Sequence, residues 1–146
     1  MTVVAIFRGC LNKALWESDI MKKALIVDDE KDLLQMLGKR LTASGYSVIT
    51  ATNGRDAIVL AKSQHPDIIV LDIVMPQMDG GQVAAELKEH PSTRNIPVIL
   101  LTALFSKAEE EKYGSIVGGN ITLAKPFDAE KLLEQIKKLL DSTAVL

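Results

Sequence analysis

DIIVLD, residues 67–72, holds four successive aliphatic side chains, Ile68 to Leu71, between two aspartates. A strand with one face in water alternates apolar and polar residues, so an unbroken run reads as a strand buried on both faces. The same reading fits ALIV (24–27), YSVIT (46–50), IPVILLT (96–102) and ITLA (121–124). Stretches with helical spacing separate these runs. Glu30–Ser44 sets Leu33, Leu34, Leu37 and Leu41 on one side and stops at Gly45. Asp56–Ser63 follows an Asn53-Gly54 start, and Gly81–His90 carries Val83, Ala84 and Leu87. Lys107–Ile116 is the weakest helical pattern, with three glutamates among its few apolar positions. Asp128–Leu140 has Asp128 placed as an N-cap. Strand–helix units in this succession imply a parallel sheet, right-handed crossovers and helices on both faces.

The rest of the chain bounds the function. Its 146 residues, 15.9 kDa, amount to one domain or one domain with a short appendage. A formal charge of −2 and a pI near 5.7 give no electrostatic reason to expect a nucleic-acid partner. A lone Cys10 rules out an intrachain disulfide framework and fits a reducing compartment, so the cytoplasm is expected. His65 and His90 are not at metal-ligand spacing, which leaves oxygen-ligand metals. Residues 1–20 are too charged to span a bilayer and lack the order of a signal peptide. They read as an upstream extension or start-site artefact, or as a short helix from Leu11 to Asp19 docking Trp16, with the body of the domain at 21–146. The few residues after Leu140 leave no second domain to expect.

In open parallel sheets of this kind, ligands bind beyond the carboxyl ends of the strands. The residues expected there are Asp28, Asp29 and Glu30 after the first strand, and Asp72 after the third. Thr102-Ala103 follows the fourth strand and Lys125-Pro126 the fifth. Converging carboxylates repel one another until a proton or a cation intervenes. Mg²⁺ suits such a site, because it takes oxygen ligands, keeps several waters and is usually held by one or two carboxylates plus a phosphate. Asp72 is then the reactive group, since a carboxylate can attack phosphorus to give an acyl phosphate. Mg²⁺, Lys125 and the Thr102 hydroxyl would each take one phosphoryl oxygen.

The segments VDDE (27–30), LDIVMPQMDG (71–80), LTA (101–103) and KPF (125–127), in this order, resemble the receiver domain of two-component response regulators. The resemblance runs from about Lys22 to Leu140. It implies a flavodoxin-like, doubly wound, five-stranded parallel sheet of order 2-1-3-4-5, an order that the chemotaxis receiver exemplifies. It further implies Asp72 as phosphoacceptor, Asp29 as a direct Mg²⁺ ligand and Asp28 as an indirect one. The Val74 backbone carbonyl would be a further ligand, and the Ala103 backbone a phosphate contact. Lys125 and Thr102 would sense the phosphate, with a cis Lys125–Pro126 bond. The implied partners are a histidine kinase or phosphotransfer protein and a downstream protein target, with no nucleic acid or membrane, for a monomer or weak dimer.

Taken singly, these residues have plainer readings. Asp28 and Asp29 would cap the first helix, Asp79 the third, and Thr102 would be an ordinary strand residue. Met36, Met75 and Met78 read as packing, and His65 and His90 as surface residues. Thr122 stands where many receivers carry an aromatic three residues before the lysine, and Gly118-Gly119 precedes the last strand. An aspartate-dependent phosphohydrolase would need a second Asp where Val74 stands and a nucleophile on the first strand. A flavin-binding flavodoxin would need a phosphate loop in place of Asp28-Asp29-Glu30. A receiver-like binding module without phosphorylation is the remaining alternative.

Overall fold

The computed structural model describes residues 21–102, 116–117, 120–125 and 127–145. In chain order the elements are β1 Lys23–Val27, α1 Lys31–Ala43, β2 Ser47–Ala51, α2 Gly54–Gln64 and β3 Ile68–Asp72. Then come α3 Gly80–Glu89, β4 Val98–Thr102, β5 Ile116–Val117, β6 Asn120–Ala124 and α4 Ala129–Val145. The sheet order is β2-β1-β3-β4-β6-β5. β1, β2, β3, β4 and β6 all pair in parallel, which is the expected 2-1-3-4-5 topology of a flavodoxin-like sheet.

β3 and β4 are buried along their whole length, as unbroken aliphatic runs require. Alternate residues point to opposite faces. Leu25, Val27, Ile69, Leu71 and Leu100 meet Ala57, Ile58 and Ala61 of α2 and Val83, Ala84 and Leu87 of α3. Ala24, Ile26, Val70, Ile99 and Leu101 meet Leu34, Leu37 and Leu41 of α1 and Leu132, Ile136 and Leu140 of α4. An Arg40–Glu130 ion pair bridges α1 and α4 at the surface.

Helix ends follow local chemistry. α1 closes with Gly45 at φ +96°, where Gly45 N–H donates to Thr42 O and Tyr46 N–H to Leu41 O. α2 starts at Gly54, ahead of the expected Asp56, because the Asn53 side chain accepts from Asp56 N–H at 2.8 Å. Asp128 Oδ1 accepts from Glu130 N–H at 3.0 Å, the cap expected for α4.

Ile116 is not the end of a helix. It belongs to β5, which pairs antiparallel with β6 (Ile116 with Ile121, Val117 with Asn120) and adds an edge strand to the sheet. The polar 107–116 segment had no apolar stripe to hold a helix to its last residue; residues 107–115 lie outside the described residues. Met36 is half exposed on α1 and lies outside the two core clusters, because Leu34 and Leu37 occupy the buried side of that turn. Met75 is buried, as expected. The short helix Leu11–Asp19, Ala103, the Gly118-Gly119 pair and Pro126 also lie outside the described residues. Among the described residues, no helix is long and apolar enough to cross a membrane.

Candidate functional site

Parallel strands finish on one side of a sheet, so Asp28, Asp72, Thr102 and Lys125 arrive together although 97 residues separate Asp28 from Lys125. Asp28 is 0%, Asp72 3% and Thr102 1% exposed, which is unusual for carboxylates and marks a site rather than a surface. Carboxylate oxygens of Asp28, Asp29 and Asp72 lie within 4.8 Å of one another, with Asp29 on the exposed side.

The buried charges are unevenly served. Lys125 Nζ donates to Asp28 Oδ2 at 2.9 Å, and Glu30 N–H donates to Asp28 Oδ1 at 2.9 Å, so both oxygens of Asp28 are engaged. Asp72 Oδ1 lies 3.5 Å from Lys125 Nζ and accepts a long bond from Val74 N–H at 3.4 Å. Burial, and then the charge of Asp28, push the Asp72 carboxyl up to about 6, against the smaller opposing pull of Lys125. Burial works against the Lys125 charge, yet the hydrogen bond to Asp28 and the charges of Asp28, Asp72 and Glu30 outweigh it and raise its pKa. Asp72 is therefore the buried carboxylate less compensated by the protein, beside an ammonium that stays charged.

Backbone geometry holds Asp72 in place. Ile73 N–H donates to Leu101 O at 2.8 Å, and Gly80 N–H to Ile73 O at 2.8 Å. A Cβ on Gly80 would strike the Asp72 carbonyl and stand 2.7 Å from Ile73 Cα, so only glycine lets α3 begin this close to the strand end. On the other side Lys125 N–H donates to Thr102 O at 2.7 Å, which fixes the lysine to the end of β4. The Val74 side chain, in the loop after β3, is half exposed.

Asp28, Asp29, Asp72 and Lys125 are thus brought together as expected, with Thr102 buried at the adjacent strand end. Ala103 lies outside the described residues. Glu30 reads from the sequence only as part of an acidic triplet, yet its Oε1 comes within 3.9 Å of Lys125 Nζ. The tight approach at Gly80 can be suspected from Asp79-Gly80-Gly81 but not measured there. Asp79 is the expected cap, in a full capping box with Gln82. His65 and His90 are exposed helix C-caps, away from the site. Thr122 is buried in β6.

The donor set consists of hard carboxylate oxygens, one of them reachable from solvent, which fits Mg²⁺ and not a thiolate- or imidazole-seeking metal. Residues 24–137 match the model of the response regulator receiver domain. Response regulator PleD of Caulobacter vibrioides is 40% identical over 117 residues, 80% of this chain and 26% of its own length. The probable transcriptional regulator ycf27 of Cyanophora paradoxa is 38% identical over 122 residues, 84% of this chain and 49% of its own. The chain thus spans about half the length, or less, of these curated relatives. Among solved structures, Vibrio cholerae chemotaxis protein CheY4 aligns with TM-score 0.72 at 34% identity, covering 82% of this chain and 98% of that one. The receiver domain of Francisella response regulator 1452 aligns with TM-score 0.72 at 31% identity, over 84% and 98%. By sequence and by fold, this chain belongs to the response regulator receiver domain family.

Proposed function

We propose that Asp72 accepts a phosphoryl group from a phosphorylated histidine of a kinase or phosphotransfer protein, and that the phosphorylated chain signals through contacts with a downstream protein. The family acts as a phosphoacceptor and not as an enzyme with turnover, and this chain is read in the same way. The observation that carries the reading is the convergence of Asp28, Asp29 and Asp72 at the carboxyl ends of the strands, with a largely buried lysine beside Asp28 and Asp72.

In the transfer, an Asp72 carboxylate oxygen forms a bond to phosphorus while the phosphorus–nitrogen bond of the donor breaks, and its electron pair returns to the imidazole. Asp72 must be ionised to attack. With its carboxyl raised to about 6, most of it is ionised near neutral pH. Asp29 and Asp72 would hold Mg²⁺, with Asp28 assisting and the Val74 carbonyl as a further ligand. When bound, Mg²⁺ supplies positive charge to a phosphoryl oxygen and relieves the repulsion among the carboxylates. Lys125 is near enough to exchange Asp28 for a second phosphoryl oxygen. The Thr102 hydroxyl would donate to a third, and the Ala103 backbone N–H would contact the phosphate.

The test is incubation with Mg²⁺ and a small phosphodonor, followed by intact mass measurement. Wild type should gain one phosphoryl group that hydroxylamine removes, as an acyl phosphate requires, and Asp72→Asn none. Phosphorylation of Asp72→Asn at the same rate would remove Asp72 from the role.

A further inference from the structure

We infer, resting on the phosphoacceptor reading of Asp72, that Glu30 sets the preference for the phosphodonor: its carboxylate, on the solvent side of Lys125, disfavours dianionic donors such as acyl phosphates and spares phosphoramidates, the class that includes phosphohistidine. Glu30 is the N-cap of α1, where Ser, Thr, Asp or Asn ordinarily binds a backbone N–H of the first turn, and it makes no side-chain cap bond. Its backbone is nevertheless fixed to the site, because Glu30 N–H donates to Asp28 Oδ1 at 2.9 Å. The residue is anchored beside the carboxylates while the helix makes no use of its side chain.

That side chain turns to the lysine of the site. Glu30 Oε1 lies 3.9 Å from Lys125 Nζ, the same ammonium that donates to Asp28 and stands 3.5 Å from Asp72 Oδ1. The side chains of Asp28 and Asp72 are buried, whereas that of Glu30 is 68% exposed, so Glu30 is the lysine's partner on the side from which a donor must enter. Among the described residues Glu30 forms no other ion pair. The exposed residues next to it, Asp29, Lys31 and Asp32, together carry a net negative charge and do not cancel its own.

The attacking and leaving atoms lie roughly in line across phosphorus, so the leaving group departs away from Asp72 and towards solvent. With an acyl phosphate, the Asp72 oxygen–phosphorus bond forms as the donor's phosphorus–oxygen bond breaks, and the electron pair leaves on a carboxylate. The donor is a dianion on approach, and the charge that departs is negative. With a phosphoramidate, the phosphorus–nitrogen bond breaks and its electron pair stays on nitrogen. Protonation on the nitrogen side offsets one phosphoryl charge, so the donor approaches as a monoanion and the leaving group departs neutral. A carboxylate held at the entrance repels the dianion about twice as strongly as the monoanion.

Initial rates of phosphorylation of the full chain by acetyl phosphate and by phosphoramidate, with excess Mg²⁺ at low ionic strength and read by intact mass, test this. Glu30→Gln keeps the length of the side chain and removes its charge. It should accept acetyl phosphate about fivefold faster than wild type and phosphoramidate less than about twofold faster. Glu30→Lys should widen the difference. Near molar salt, wild type and Glu30→Gln should converge, because a charge effect at an exposed side chain is screened and a change of structure is not. The melting temperature of Glu30→Gln without metal should stay close to that of wild type, since the side chain is exposed and caps nothing. Equal gains with both donors overturn the proposal, as does the absence of any gain or a gain that survives molar salt. Each of these outcomes leaves Asp72 as acceptor. If neither donor labels wild type, the phosphoacceptor reading falls, and the role of Glu30 falls with it.

Discussion

Two helices begin shortly beyond strands of the same sheet, each with aspartate just ahead of its first turn, and they use that residue in opposite ways. At α3, Asp79 caps the helix: its Oδ1 accepts from Gln82 N–H at 2.9 Å, and Gln82 Oε1 accepts from Asp79 N–H at 3.0 Å. At α1, Glu30 is the N-cap and makes no side-chain cap bond. Asp28 engages Glu30 N–H with one oxygen and gives the other to Lys125. Asp29 is left exposed beside Asp72. The start of α3 is arranged for stability. The start of α1 gives up a cap and gathers like charges, a local conflict of the kind that marks functional sites.

That contrast can be broken or sharpened by substitution. The largest effect is expected at Gly80, where the start of α3 touches the site. Gly80→Ala must push the Asp72–Ile73 backbone away, and about 3 kcal/mol or more of stability should be lost. Urea unfolding measures it; a loss under about 1 kcal/mol, on the scale of an ordinary surface change, would mean that the loop yields easily.

Next is the penalty carried by Asp72. An ordinary aspartate titrates at 3.8, whereas here the carboxyl is raised to about 6. Between these values the folded chain keeps a proton that the unfolded chain has lost. Stability therefore falls as pH rises through that window, and stays lowered above it. Asp72→Asn removes the penalty, so without metal it should be more stable than wild type by roughly 2 kcal/mol near pH 8 and by little below about pH 4. Equal melting curves for the two proteins across that range would show that the folded chain does not penalise the carboxylate.

Asp29→Asn should weaken Mg²⁺ binding about tenfold by calorimetry, since one of few carboxylates is lost. The fold should hold, because Asp29 is exposed. Unchanged affinity would move the metal away from the start of α1. The smallest effect is the mirror case. Asp79→Ala should cost about 1 kcal/mol of stability and leave Mg²⁺ affinity unaltered. A change in metal affinity there would erase the distinction between the two helix starts.

Much of this molecule is legible in local sequence. Unalternating runs such as Ile68–Leu71 and Val98–Leu101 read as strands covered on both faces, and Leu34-Leu37-Leu41 as one side of a helix. The acidic strand ends and the caps at Asn53, Asp79 and Asp128 follow from the same short-range chemistry. The β5 strand was not legible, because two residues carry no periodicity and their pairing with β6 is what makes them a strand. Nor was the partner of Lys125. A lysine before a proline is only a cation until β6 is laid beside β4, which delivers it to Asp28 at 2.9 Å and leaves Asp72 at 3.5 Å. Periodicity and capping are set within a few residues, and the chain declares them by itself. Which carboxylate is neutralised, and which is left charged, depends on burial and on ångström-scale distances between strand ends nearly a hundred residues apart, and only the assembled sheet decides that.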